Sequence, residues 1–184
     1  ERAITVLGNR GPLDGWYNQI PVASGLIDGK ADKRAAVDLV RMSDGSAELV
    51  ELKWESDTPA FAAFEILRYG LAFLLCYVMK EEFGFRDYPL MTASRVSLRC
   101  LAPADYYESC NLADLVAVLD MGIQDLFHKK TDGRLSTDLK IMSFPPGFDL
   151  PFKTGADVNR FNDLPLETPE IADLIDTMRD LRPV

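Results

Sequence analysis

Asp38, Glu51, Leu52 and Lys53, followed by Glu65 and Tyr69, are the residues whose types and spacing suit chemistry in this chain. Two carboxylates held close together repel, and a hard divalent cation between them removes the conflict. Ligands that are all oxygen suit Mg²⁺ or Mn²⁺. The main-chain carbonyl of Leu52 offers a further oxygen from the strand itself. Lys53, two residues after Glu51, falls on the same strand face. There its ammonium can orient an attacking water and offset the charge that develops on phosphorus. The reaction class such a set performs is metal-assisted hydrolysis of a phosphodiester.

Elements must bring these residues together, and the sequence supplies them. Trp16 to Ala23 reads as a strand, while residues 1 to 15 give no clear element. Ala35 to Met42 reads as a second strand, closed by Ser43-Asp44-Gly45-Ser46 in a hairpin-type connection, with Ala47 to Trp54 returning. Along the return strand Leu49, Glu51 and Lys53 share one face, and Val50, Leu52 and Trp54 share an apolar face that belongs in the core. Thr58 caps a helix with Pro59 at its first position, predicted to run to about Phe83 and to end near Gly84. Further elements are a strand over Arg95 to Leu101, a helix over Asn111 to Phe127 and a strand over Leu139 to Phe144. A last helix starts at Thr168-Pro169 and runs to about Leu181. This order predicts an α/β fold, a mixed central sheet flanked by helices.

The pattern resembles the PD-(D/E)xK nuclease superfamily, whose signature is an Asp on one strand and Glu-x-Lys on the next, here Asp38 and Glu51-Leu52-Lys53. Val37 stands where the superfamily's name has Pro. In the RecB-like branch the following helix carries Gln-x-x-x-Tyr, and here the equivalent reads Glu65-Ile66-Leu67-Arg68-Tyr69. The resemblance implies a restriction-endonuclease-like sheet, with Asp38, Glu51 and the Leu52 carbonyl as metal ligands. It makes Lys53 the assistant to water, puts Glu65 near the metal or the water, and puts Tyr69 near a phosphate. It implies Mg²⁺ or Mn²⁺ as cofactor and nucleic acid, DNA by preference, as substrate. Superfamily members often carry an acidic residue on a helix before the first strand, and Glu1 is the one carboxylate before Gly8 that can fill that place. The resemblance covers residues 16 to 102.

On spacing alone, Glu51 and Lys53 would make a solvated strand face with a cross-strand ion pair. Three features favour a site. Asp38 is a charge inside the otherwise apolar stretch Ala35 to Val40, where it is costly without a partner. The hairpin delivers it beside Glu51. The next helix then presents Glu65 and Tyr69 among Phe61, Phe64, Ile66 and Leu67.

At 184 residues the chain is most simply one domain, 1–184, with a core over about 16–102 and a helical and loop extension over about 103–184. The net charge of -9 excludes gripping nucleic acid by bulk electrostatics. Contact with nucleic acid then rests on a local basic patch such as Lys30, Lys33 and Arg34, on bound metal, or on a partner protein with a basic surface. A homodimer would also build a larger groove. Three cysteines (Cys76, Cys100 and Cys110) without a CxxC argue against disulfides and thiolate metal sites, fitting a reducing cytoplasm. The single histidine, His128, reads as an exposed residue at a helix end. The apolar run Leu71 to Met79 is too short to span a bilayer and reads as a buried amphipathic helix, so no membrane association is expected. Gly25 to Lys30 falls short of a phosphate loop, and Trp16, Tyr17 and Trp54 are either core residues or base-stacking ones. The alternative to an enzyme is a nuclease-fold module retired from catalysis, or a subunit of a larger nucleic-acid-processing complex.

Overall fold

The structure, a computed structural model, describes residues 1–21, 36–54, 57–108, 110–148, 162–179 and 181–183. The basic cluster Lys30, Lys33 and Arg34, the Gly25–Lys30 turn and most of the 148–165 stretch lie outside the described residues.

A six-stranded mixed sheet runs β1-β2-β3-β4-β5-β6 in chain order, and helices cover both faces. Its strands are β1 (Trp16–Pro21), β2 (Ala36–Ser43), β3 (Ser46–Leu52), β4 (Arg95–Ala102), β5 (Ser136–Ser143) and the two-residue β6 (Arg182–Pro183). The first three are antiparallel neighbours, β3, β4 and β5 run parallel, and β6 returns antiparallel. The order is the one a hairpin followed by two helical crossovers produces. Helices α2 (Pro59–Val78) and α3 (Ala113–Thr131) make those crossovers, while α1 (Arg2–Asn9) precedes the sheet and α4 (Pro169–Arg179) follows it.

Alternation along the strands divides the core in two. Ala47, Leu49, Val96, Leu98, Leu139 and Ile141 pack beneath α2 and α3 with Ile66, Phe73 and Phe127. Leu39, Val50 and Leu101 point the other way, onto Ile4 and Leu7 of α1 and Ile171, Leu174 and Ile175 of α4. Val50, Leu52 and Trp54 do take the core side predicted for them, with Leu52 and Trp54 at its margin.

The β2–β3 turn sets the register on which the site depends. Asp44 and Gly45 both have positive φ (43° and 74°), as a two-residue turn matching the strand twist requires. Ser43 therefore pairs with Ser46 and Leu39 with Val50, so the next positions along are Asp38 and Glu51.

Several boundaries differ from the sequence reading. Residues 2–9 form a helix without a side-chain cap, held by Ile4 and Leu7 in the core. The helix predicted to reach about Phe83 ends at Val78, before turns that lead to Gly84 at φ 69°. Thr58 does cap α2, its hydroxyl oxygen accepting the Phe61 N–H at 3.2 Å. Thr168 instead donates its hydroxyl to the Pro165 carbonyl at 2.7 Å. The predicted C-terminal extension is part of the sheet, supplying β5, β6 and the α4 side of the core.

Among the described residues α2 alone is long and apolar enough to cross a membrane, with a mean hydropathy of 1.6. Its inner face is packed on β3 and β4. The expected amphipathic pattern is absent on its outer face, where Phe61, Phe64, Leu71, Leu75 and Val78 are exposed.

Candidate active site

Glu51 lies on the α2 side at the end of the β2–β3 ladder, where regular pairing stops after Leu39 and Val50, and the half-buried Asp38 sits at the same end, beside Glu1. The Asp38 carboxylate takes over from the missing backbone acceptor: its Oδ2 accepts the Leu52 N–H at 2.9 Å. In an extended strand a residue sends its N–H and C=O to the same side, so the Leu52 carbonyl faces the same gap. The Lys53 N–H continues the other edge, donating to the Leu101 carbonyl at 3.0 Å.

Lys53 is the hub. Its Nζ lies 2.7 Å from Glu65 Oε2, 3.0 Å from Glu51 Oε1 and 3.4 Å from Asp57 Oδ2. Glu51 and Lys53 are both buried (5% and 8% exposed), which raises the stakes of every unpaired atom. Glu51 Oε2 is buried with no hydrogen-bond partner. One turn further along α2, the Tyr69 hydroxyl stands 3.5 Å from Glu65 Oε1, and Arg68 reaches both residues, at 3.4 Å from that hydroxyl and 3.5 Å from Glu65 Oε1. The structure thus brings Asp38, Glu51, Leu52, Lys53, Glu65 and Tyr69 to one end of the sheet.

Electrostatics distinguishes the two carboxyls on the strands. Burial first, and then the Glu1 carboxyl, push Asp38 up to about 6, against the pull of the Leu52 N–H and of Lys53. Burial first, and then the negative charge of Asp38, push Glu51 up to about 8, even with the Lys53 ammonium beside it. Burial also acts on Lys53, but its hydrogen bonds to Glu65 and Glu51 outweigh it and hold the ammonium above its ordinary range. Burial raises Tyr69 as well.

A second buried charged cluster, at the other end of the sheet and on its α1–α4 face, shows the opposite balance. Asp138 lies 2.8 Å from Arg99 and 3.2 Å from Arg95, and accepts the Ser97 hydroxyl at 2.7 Å. Burial pushes Asp138 up, yet Ser97 and the two arginines hold it below its ordinary value. Asp138 is met by two arginines, whereas the Asp38–Glu51 pair has the one ammonium of Lys53, which Glu65 and Asp57 share.

Three neighbours extend the set. Glu1 caps the approach of α1; its carboxyl hydrogen-bonds Asp38 and accepts Gln19 Nε2 at 2.6 Å. Asp57 reaches Lys53 from the turn before α2, at a positive φ of 63° that Asp tolerates better than most residues. Arg68 was missed in the sequence, although its i+3 spacing from Glu65 signals the pair. The i+4 spacing of Asp57 from Lys53 is the corresponding sign on the other side.

Among the described residues no three His, Cys, Asp or Glu side chains close on one point in metal-holding geometry, because Lys53 stands between Glu51 and Glu65. A divalent cation would draw on Asp38, the free Oε2 of Glu51 and the Leu52 carbonyl, and that oxygen set fits Mg²⁺ or Mn²⁺. The remaining candidates lie elsewhere: Trp16 is buried under Arg41, Tyr17 is exposed, Trp54 packs tilted and edge-on against Phe144 and Phe148, and His128 is exposed in the last turn of α3. Cys76 and Cys100 are buried and Cys110 half-buried, all three as free thiols. Compared with known proteins, the chain matches no family model, no curated protein and no solved structure.

Proposed function

We propose that this protein is a metal-dependent nuclease of the PD-(D/E)xK type, with a restriction-endonuclease-like fold, that hydrolyses phosphodiester bonds in DNA. One observation carries the reading. Glu51 is buried and Asp38 half-buried at the end of the β2–β3 ladder, both are pushed up in pKa, and one oxygen, Glu51 Oε2, has no hydrogen-bond partner. Negative charge met by one shared lysine is a stability cost that a bound cation would turn to use.

Bound there, Mg²⁺ or Mn²⁺ would neutralise the pair and polarise a phosphoryl oxygen. Asp38 and Glu51 then act as its anionic ligands, with Asp38 held in place by the Leu52 N–H. Lys53, kept charged by Glu65 and Glu51, places a fixed positive charge where the pentavalent phosphorus becomes most negative. Glu65 aims that ammonium and holds it against rotation. Tyr69, protonated, presents a hydroxyl donor to a phosphate oxygen. The Glu at position 65 makes the orienting group an anion, and Arg68 at 3.5 Å offsets it.

The test is calorimetric titration of Mn²⁺ and Mg²⁺ into wild type, Glu51→Ala and Lys53→Ala, with cleavage of single- and double-stranded DNA and of RNA in the same buffers. Glu51→Ala should lose cation binding and cleavage together. Lys53→Ala should keep the fold and the cation and lose cleavage by about 10²-fold or more. Wild-type-like turnover in Lys53→Ala would sink the reading. A wild type that binds no cation and cuts nothing would instead be a nuclease-fold module in which Lys53 serves only to neutralise Glu51 and Glu65.

A further inference from the structure

We propose that the outer face of α2 is a homodimer seam, on which a second copy of this chain packs its own α2 antiparallel. The exposed positions of α2 are Phe61, Phe64, Arg68, Leu71, Leu75 and Val78, spaced 3, 4, 3, 4 and 3 residues apart. That alternation is the a/d repeat of paired helices, which keeps one stripe facing a partner along the whole length. Five of the six are large apolar side chains, each 41% to 53% exposed. Together they leave roughly 450 Å² of apolar surface on one helix, the size of a monomer's largest apolar patch, which is commonly a functional one.

The stripe is complementary to itself. About a two-fold axis between Tyr69 and Gly70, Phe61 meets Val78 of the other copy, Phe64 meets Leu75, and Arg68 meets Leu71. Large side chains oppose small ones at every layer, and the single charge never faces its own copy. Arg68 does not need a partner there, because its guanidinium lies 3.5 Å from Glu65 and 5.1 Å from the centre of the Tyr69 ring. Two stripes with their flanks would bury roughly 1,200 Å² in all, the lower end of a specific interface. A membrane is the poorer occupant: Arg68 interrupts the stripe at its middle, and the opposite face of α2 is committed to the sheet.

The seam borders the candidate site. Lys53 Nζ stands 6.0 Å from the centre of the Phe61 ring, and Arg68 contacts Glu65 and Tyr69. A second copy would therefore exclude water from the α2 flank of Lys53. The dimer rests on the exposed stripe and not on the nuclease reading, so either can fail without the other.

Sedimentation equilibrium of the full chain over a wide concentration range tests it, beside Leu71→Asp and Leu75→Glu, with circular dichroism melts of all three. Wild type should dimerise. Each variant should weaken association at least about tenfold while melting as a folded protein. Added salt should tighten the wild-type dimer, because two copies of charge -9 repel through solvent. Mixed Phe61→Cys and Val78→Cys chains, in a Cys110→Ser background, should cross-link to each other faster than either does to itself. A wild type that stays monomeric at its highest soluble concentration would overturn the proposal. So would a dimer unmoved by both variants, or a monomer that instead sediments with phosphatidylcholine vesicles.

Discussion

Glu51 on β3 and Asp138 on β5 are both buried carboxylates, and their surroundings push them in opposite directions. Asp138 is met by Arg99, Arg95 and Ser97 and falls below its ordinary pKa, as a group that stabilises the fold should. Glu51 has a lysine at 3.0 Å and still rises to about 8. The sign follows from proton counting. Between the ordinary glutamate value and 8, the folded chain holds a proton that the unfolded chain has released, so rising pH through that window costs stability. Asp38 adds the same trend up to about 6. Metal-free wild type should therefore lose melting temperature as pH rises from about 5 to 8 and level off above it. Glu51→Gln keeps the shape of the protonated form. At pH 8.5 it should melt higher than metal-free wild type, by roughly 2–4 °C after allowance for solvent reaching the site. On the proposed function Mn²⁺ should raise the melting temperature of wild type and leave that of Glu51→Gln unmoved. A variant that melts lower in the absence of metal would mean that the Lys53–Glu51 ion pair outweighs the repulsion from Asp38. Sequence spacing alone could place Glu51 and Lys53 on one face; it could not tell a compensated carboxylate from an uncompensated one, since that depends on which cations arrive from other strands.

At the scale of elements, the hairpin and the first long helix were legible because their signals are local. Asp44-Gly45 fixes a two-residue turn, the turn fixes register, and register sets Asp38 beside Glu51. Thr58 and Pro59 fix where α2 begins, and hence where Glu65 and Tyr69 fall. Helix α1 was not legible, because it has no cap and its eight residues hold only through Ile4 and Leu7 in the core. Glu1 was a candidate through the resemblance alone, and its contact with Asp38 depends on where α1 docks. Strand β6 is two residues long and exists by pairing with Met142 and Ser143. What positions α2 in depth is also tertiary. Gly70 sits against β4 so closely that a Cβ there would come within 2.5 Å of Leu98 Cδ1, and Leu98 is fully buried. Gly70→Ala gains helix propensity but must push α2 off the sheet or displace Leu98, and overpacking of this kind costs about 1–3 kcal/mol. Since Glu65 and Tyr69 ride on the same helix, the proposed function has the variant lose cleavage more than cation binding, whose ligands would be on β2 and β3. A chemical-denaturation midpoint raised above wild type would show that the contact is slack.

For the whole molecule the decisive quantity is the charge of -9. A basic groove neutralises many phosphates and releases their counterions, so its affinity collapses as salt rises. The described residues offer few cations near the site: Lys53 is shared among Glu51, Glu65 and Asp57, and Arg68 is turned onto Glu65 and Tyr69. Arg41, Arg95, Arg99 and Lys140 gather at the opposite end of the sheet around Glu48 and Asp138. Nucleic acid should then be held through the cation and a small number of phosphates, with little help from the surface field. Fluorescence anisotropy of a short single-stranded DNA with Lys53→Ala, which on the proposed function should bind without cutting, gives the number. In Mn²⁺ the slope of log affinity against log salt should be shallow, a magnitude of about 2–3 in place of the 6 or more of a basic groove. In chelator, binding should fall away, because the acidic surface repels the strand and nothing bridges it. A steep slope, or affinity that survives chelation, would place the grip on a basic surface away from these carboxylates and would detach nucleic-acid binding from the site at Asp38 and Glu51.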